Sequence, residues 1–164
     1  MRKMSDISLR TRALQCLARR EYSRAELRTK LLPYAQGDDY FEQEVESFGA
    51  VSLDALLDDL VELGWISDER AVNQLIRAKR SRFGLQRIIH ELRQKGIAEN
   101  LISDALPDLK KSELGAVQEV WRKKFGVLPQ NAKEKARQVR FLQSRGFSFD
   151  VIFSMLDNIM PDIK

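Results

Sequence analysis

The chain has 164 residues, 43% hydrophobic and 32% charged, with 28 basic and 24 acidic side chains for a net charge of +4. That mixture is too apolar for a disordered chain and leaves room for one to three small cores. One cysteine, Cys16, excludes an intramolecular disulfide, and no stretch approaches the roughly 20 apolar residues needed to span a bilayer. Residues 1–8 lack the apolar run of a signal peptide, and a reducing cytoplasm is the expected compartment.

The first helix is predicted from Ser8 to Arg20, burying Ala13, Leu14, Leu17 and Ala18 at the helical period. Tyr22-Ser23 ends it, and Ser23 with Glu26 makes an S-x-x-E capping box for the second helix. Pro33 and Gly37 should close that helix and open an acidic connection, residues 37–51. The third helix, Leu53 to Leu63, aligns Leu53, Leu56, Leu57, Leu60 and Val61 on one side and Asp54, Asp58 and Glu62 on the other. It should stop at Gly64, and its carboxylates read as a solvated face, because no His or Cys accompanies them.

The pattern then recurs. A basic helix from Asp68 to Arg82 buries Ala71, Val72, Leu75 and Ile76 and ends at Phe83-Gly84. A second, Leu85 to Lys95, ends at Gly96, and a third, Glu99 to Leu106, is expected to stop at Pro107. A further round runs from Lys110 to Lys124, ending at Phe125-Gly126, then Ala132 to Arg145, then a final helix burying Val151, Ile152, Met155, Leu156 and Ile159 before Pro161. Aligned on Tyr22-Ser23, Phe83-Gly84 and Phe125-Gly126, the chain is one helical unit used three times: residues 8–64 with an acidic insertion at about 33–51, residues 67–107, and residues 110–160. The expected fold is all-α, three tandem three-helix repeats in an elongated, curved array.

Charge follows the repeat. Residues 1–36 hold nine basic and three acidic groups, residues 37–72 one and eleven, 73–95 seven and one, 96–119 two and five, and 120–145 eight and one. Stacked units would therefore carry a positive band suited to a polyanion, against the plainer reading that the cations pair with neighbouring acids. The residues chosen for partner contact are Arg77, Arg80, Arg82, Arg87, Lys123, Lys124, Lys133, Arg137 and Arg140, the last three forming one stripe along a helix.

Little points to catalysis. His90 is the sole histidine and has no neighbouring nucleophile or ligand, Cys16 reads as a packing residue, and no phosphate-cradling glycine motif occurs. No catalytic residue, metal or cofactor is assigned. Trp65, Trp121, Phe125, Phe141, Phe147 and Phe149 could stack on bases, but packing beside helix ends is the plainer role. A helix-turn-helix reading finds its glycine in Lys95-Gly96-Ile97-Ala98, yet the third helices are acidic and poor in base-reading residues. The basic first and second helices suit phosphate contact without sequence readout.

Three stretches resemble the RecX regulators of the RecA recombinase: Leu17-Ala18-Arg19-Arg20-Glu21-Tyr22-Ser23 running on to Leu31, Leu63-Gly64-Trp65-Ile66-Ser67-Asp68, and Gly84-Leu85-Gln86-Arg87-Ile88-Ile89-His90-Glu91-Leu92 running on to Ile97. Arg140-Phe141-Leu142-Gln143-Ser144-Arg145-Gly146-Phe147 supports them, and together they cover about residues 9–157. The resemblance implies a cytoplasmic, non-enzymatic protein, acting as a monomer, that lies in the groove of the RecA–DNA filament. There it would suppress filament extension, ATP hydrolysis, strand exchange and co-protease activity in recombination, repair and the SOS response. Weak direct contact with single- or double-stranded DNA is part of the same expectation, and a DNA-binding helical module acting directly on nucleic acid is the alternative.

Overall fold

A computed structural model of the chain describes residues 7–35 and 52–159, and all eight helices among them are α-helices with no strand. The expected connection 37–51 and Pro161 lie outside the described residues. The chain divides into two compact units, residues 1–71 with 95–97, and residues 72–94 with 98–164.

The first unit holds α1 (Leu9–Leu17), α2 (Arg24–Ala35) and α3 (Leu53–Glu62). Ser8 and Ser52 cap α1 and α3, each hydroxyl accepting the N–H three residues on, from Thr11 and Ala55, both at 3.1 Å. Ala13 from α1, Leu27 and Leu31 from α2, and Leu53, Leu56, Leu57 and Leu60 from α3 close around Tyr22 and Ile66. Cys16 is half-buried against this core, as the sequence suggests. Two expectations fail: Ala18 is exposed because α1 ends one residue before it, and Val61 is 43% exposed at the edge of the α3 stripe. Pro33 sits within α2 rather than ending it, since so near the C-terminus a lost ladder bond costs little against the burial of Leu31.

The second unit contains most of α4 (Asp68–Lys79), with α5 (Leu85–Gln94), α6 (Glu99–Lys124), α7 (Ala132–Ser144) and α8 (Phe149–Ile159). The prediction that a helix stops at Pro107 is wrong: α6 runs through it for 26 residues, joining two helices read as separate. Ile102, Leu109, Glu113, Ala116, Val117 and Trp121 form one buried stripe across the proline, and this shared burial outweighs one missing hydrogen bond. Val117, Leu142, Ile152 and Met155 are fully buried at the centre of the α6–α7–α8 core.

Candidate functional site

Two joints of the same design recur, one inside each unit. Where α2 begins, the Ser23 hydroxyl accepts the Glu26 N–H at 3.0 Å and donates to the Lys95 carbonyl, while the Arg24 N–H donates to Asp68 Oδ1 at 2.9 Å. Where α5 begins, the Gly84 N–H donates to the Arg145 carbonyl at 2.8 Å, the Gln86 N–H to the Gly146 carbonyl at 3.2 Å, and the Leu85 N–H to Glu113 Oε1 at 3.2 Å. In both, the opening of a repeat's second helix meets a Lys-Gly or Arg-Gly turn and a carboxylate of the next repeat. Orphan N–H donors of the helix start are thereby satisfied by two side chains at the first joint and by two turn carbonyls and a side chain at the second. Gly96 and Gly146 make the approach possible, with φ of +72° and +92°, a conformation costly for any residue with a Cβ.

The joints differ in charge. In the first, Glu26 does not complete a capping box by turning back to Ser23. Its carboxylate binds Arg20 at 2.6 Å and Lys95 at 3.1 Å. Burial opposes ionisation there, but hydrogen bonds from Arg20 and Lys95 prevail and hold the Glu26 carboxyl below its usual range. Nearby, Arg24 reaches Asp54 and Asp58, Arg28 reaches Asp54, Arg10 reaches Asp59 and Arg70 reaches Glu21. The acidic face of α3 is thus paired as well as solvated, and in this unit most of the described cations find neighbouring acids rather than forming a free positive band.

The second joint carries Arg87 at the position of Glu26, three residues after Gly84 as Glu26 is three after Ser23. Its guanidinium lies 4.2 Å from the Phe83 ring centroid, that of Arg145 5.3 Å and that of Arg82 5.9 Å. Lys79 stands over the same ring at 5.1 Å and pairs with Glu91 at 3.5 Å. Arg145 also covers Phe141 at 5.2 Å, with Lys124 5.3 Å from that ring. Phe141 meets Phe125 edge-on at 5.5 Å, and Arg137 stands 5.8 Å from Phe125. Lys124, Phe125, Arg137 and Gln138 line an open cleft of about 270 Å³ with Val127 and Glu134. Cations and half-buried rings therefore alternate from Phe83 to Arg137.

All nine sequence-chosen residues are exposed and all lie in the second unit. The fold brings Arg82 and Arg87 together at Phe83, and Lys124 and Arg137 together at Phe125 and Phe141. Arg77, Arg80, Lys133 and Arg140 join neither group, and among the described residues they have no ion pair; Lys123 shares Glu119 with Arg122. Arg80 and Arg82 fall in the turn after α4, which ends at Lys79 rather than at Arg82. Sequence reasoning missed Arg145, whose signal was its place four residues after Phe141 and directly before Gly146.

Of the six aromatics, Trp121 and Phe147 are buried and Phe125 and Phe141 half-buried, so most of them pack, whereas Trp65 and Phe149 are 55% and 51% exposed, Phe149 stacking on Phe153. The Trp121 indole N–H donates to Gln138 Oε1 at 2.8 Å. His90 is exposed. Among the described residues no cluster of His, Cys, Asp or Glu could hold a metal, and no helix is long and apolar enough to cross a membrane.

Residues 67–106 match the family model described as RecX, second three-helix domain, and residues 112–156 that described as RecX, third three-helix domain, so one match ends and the other begins inside α6. A protein of Chromobacterium violaceum called regulatory protein RecX is 42% identical over 149 residues, which is 91% of this chain and 89% of that one. Its namesake from Leptothrix cholodnii is 44% identical over 150 residues, 92% of this chain and 88% of that one. Among solved structures, RecX from Lactobacillus salivarius shares the fold at a TM-score of 0.69 and 20% identity, covering 94% of this chain and 96% of that one.

Proposed function

Because the chain belongs to the RecX family of regulatory proteins, we propose that it is a non-enzymatic negative modulator of the RecA recombinase. It acts in the cytoplasm as a monomer, by lying in the groove of the RecA–DNA filament. There it suppresses filament extension, ATP hydrolysis, strand exchange and co-protease activity. One observation carries the reading: the second unit presents Arg77, Arg80, Arg82, Arg87, Lys124, Lys133, Arg137 and Arg140 to solvent without carboxylate partners among the described residues, while the first unit's arginines are largely paired. Cations left unpaired suit a surface lined by acidic protein and DNA phosphate. Several moderate contacts on a repeating lattice combine through effective concentration, so inhibition requires no chemistry. The repeats at 67–107 and 110–160 supply these contacts, and a first repeat at 8–64 precedes them.

The test is ATP hydrolysis by purified recombinase on single-stranded DNA as this protein is titrated in. Hydrolysis should fall at concentrations that leave naked DNA uncoated. Unchanged hydrolysis at concentrations that coat naked DNA would reject the modulator reading in favour of direct action on nucleic acid.

A further inference from the structure

The charge reversal between the two joints assigns a ligand. At the first, a carboxylate, Glu26, pairs with both Arg20 and Lys95. At the second the equivalent position is Arg87, and Arg82, Arg87 and Arg145 crowd one phenyl ring with no carboxylate partner among the described residues. The ring's quadrupole attracts each cation but cancels none of their mutual repulsion. Backbone contacts hold the arrangement in place: Gly84 and Gly146 pack so closely that a Cβ on Gly84 would sit 2.4 Å from the Gly146 carbonyl. Arg87 Nη1 also donates to the Ser144 carbonyl at 3.4 Å, which steers its guanidinium toward the turn holding Arg145. Like charges gathered on a rigid joint, where its twin carries an acid, favour an anion between them.

We propose that Arg82, Arg87 and Arg145 around Phe83 form a phosphate-binding site at the joint between the second and third repeats, and that it takes a phosphodiester of a nucleic-acid strand. Guanidinium forks match phosphate oxygens bidentately. A strand is favoured over an acidic protein segment because the site does not stand alone. From Arg145 the row passes to Phe141 and Lys124, then to Phe125 and Arg137, so cations and rings interleave as phosphates and bases do along a strand. The proposal deepens the functional reading by naming a site, but it is tested on naked nucleic acid. Recombinase inhibition and this site can therefore fail separately.

The experiment measures fluorescence anisotropy of a labelled oligothymidylate with the full-length protein across a salt series. Arg87→Gln and Arg145→Gln should each weaken binding at low salt and flatten the dependence of log K on log[salt] by roughly 0.7, the contribution of one phosphate contact on a single strand. Arg87→Glu, which restores the carboxylate of the first joint beside Arg145, should flatten it by roughly twice that. Lys111→Glu, at an exposed position of α6, matches its change in net charge and should leave the slope nearly unchanged. Equal losses in Lys111→Glu and Arg87→Glu would reduce the effect to net charge and overturn the site, as would failure of the wild type to bind the oligonucleotide at low salt. Poly-glutamate displacing the strand charge for charge would also overturn it, by making an acidic protein segment the occupant. The glutamine variants keep the test decisive if the charge reversal impairs folding.

Discussion

Gly84 and Gly146 meet backbone to backbone: the Gly84 N–H binds the carbonyl of Arg145, and a Cβ built on Gly84 would lie 2.4 Å from both the carbonyl carbon and oxygen of Gly146. At Phe83-Gly84 the glycine is therefore required by closeness rather than by its own torsion, since Gly84 is not among the glycines of positive φ, whereas Gly126 after Phe125 is. Gly84→Ala forces two segments of main chain apart and should destabilise the protein by about 1–3 kcal/mol, the usual cost of overpacking. Gly146→Ala adds a strained left-handed conformation to a 2.4 Å clash with the Arg87 Cβ and should cost more. Urea titration checks both, and an alanine variant as stable as the wild type would mean that the joint is loose.

Gly115 supplies the opposite case. It lies inside α6, exposed, and an added Cβ would meet nothing within 4 Å. Only the entropy of an unconstrained backbone is lost by keeping glycine there, so Gly115→Ala should stabilise the protein by about 0.5–1 kcal/mol. The same urea series measures this, and a loss of stability would mean that α6 needs flexibility between its two halves.

Glu113 is 8% exposed and accepts the Leu85 N–H at the start of α5. Burial raises its pKa, against the opposing influences of the Leu85 N–H and the Lys110 charge. A carboxyl whose folded pKa is raised contributes stability that is present below its unfolded pKa and is lost as pH rises through the folded one. Glu113→Gln keeps the acceptor and removes the buried charge, so it should be as stable as the wild type or more so above neutral pH, with the advantage vanishing toward pH 4. Glu113→Ala leaves the Leu85 N–H unsatisfied and should cost about 1–3 kcal/mol at any pH. Thermal melts between pH 4 and 8 distinguish the two, and a glutamine variant less stable at pH 8 would show that the charge itself supports the joint.

Periodicity exposed the helices because burial in a small bundle follows the 3.6-residue repeat, and the leucines of α3 report it almost without error. It misled at Pro107, where a local breaker competes with a stripe shared by both halves of α6. The exposed cations were legible as well, since Arg and Lys off the apolar stripe have nowhere else to go. Their pairing was not. Arg24 finds Asp54 and Asp58 some thirty residues away, and Arg145 reaches Phe83 from another repeat; both are tertiary distances that no local pattern encodes. Ser23 was correctly read as a cap, but its second bond, to the Lys95 carbonyl, arises only because the following repeat docks there.

On α7, Lys133, Arg137 and Arg140 remain exposed and without ion pairs among the described residues, and of the three only Arg137 contacts a ring, that of Phe125. None lies in the buried set of that helix, which is Gln138, Val139 and Leu142. Reversing all three to Glu should therefore leave the melting temperature within a few degrees, since surface substitutions away from packed features usually change stability by about 0.5 kcal/mol or less each. If the second unit meets the filament through this helix, the triple variant should inhibit recombinase ATP hydrolysis at least tenfold more weakly, roughly 1.4 kcal/mol of binding. Added salt should narrow the gap, because screening removes from the wild type the attraction that the variant lacks. Inhibition by the folded triple variant equal to wild type at low salt would place the contact elsewhere and leave α7 as a solvated face.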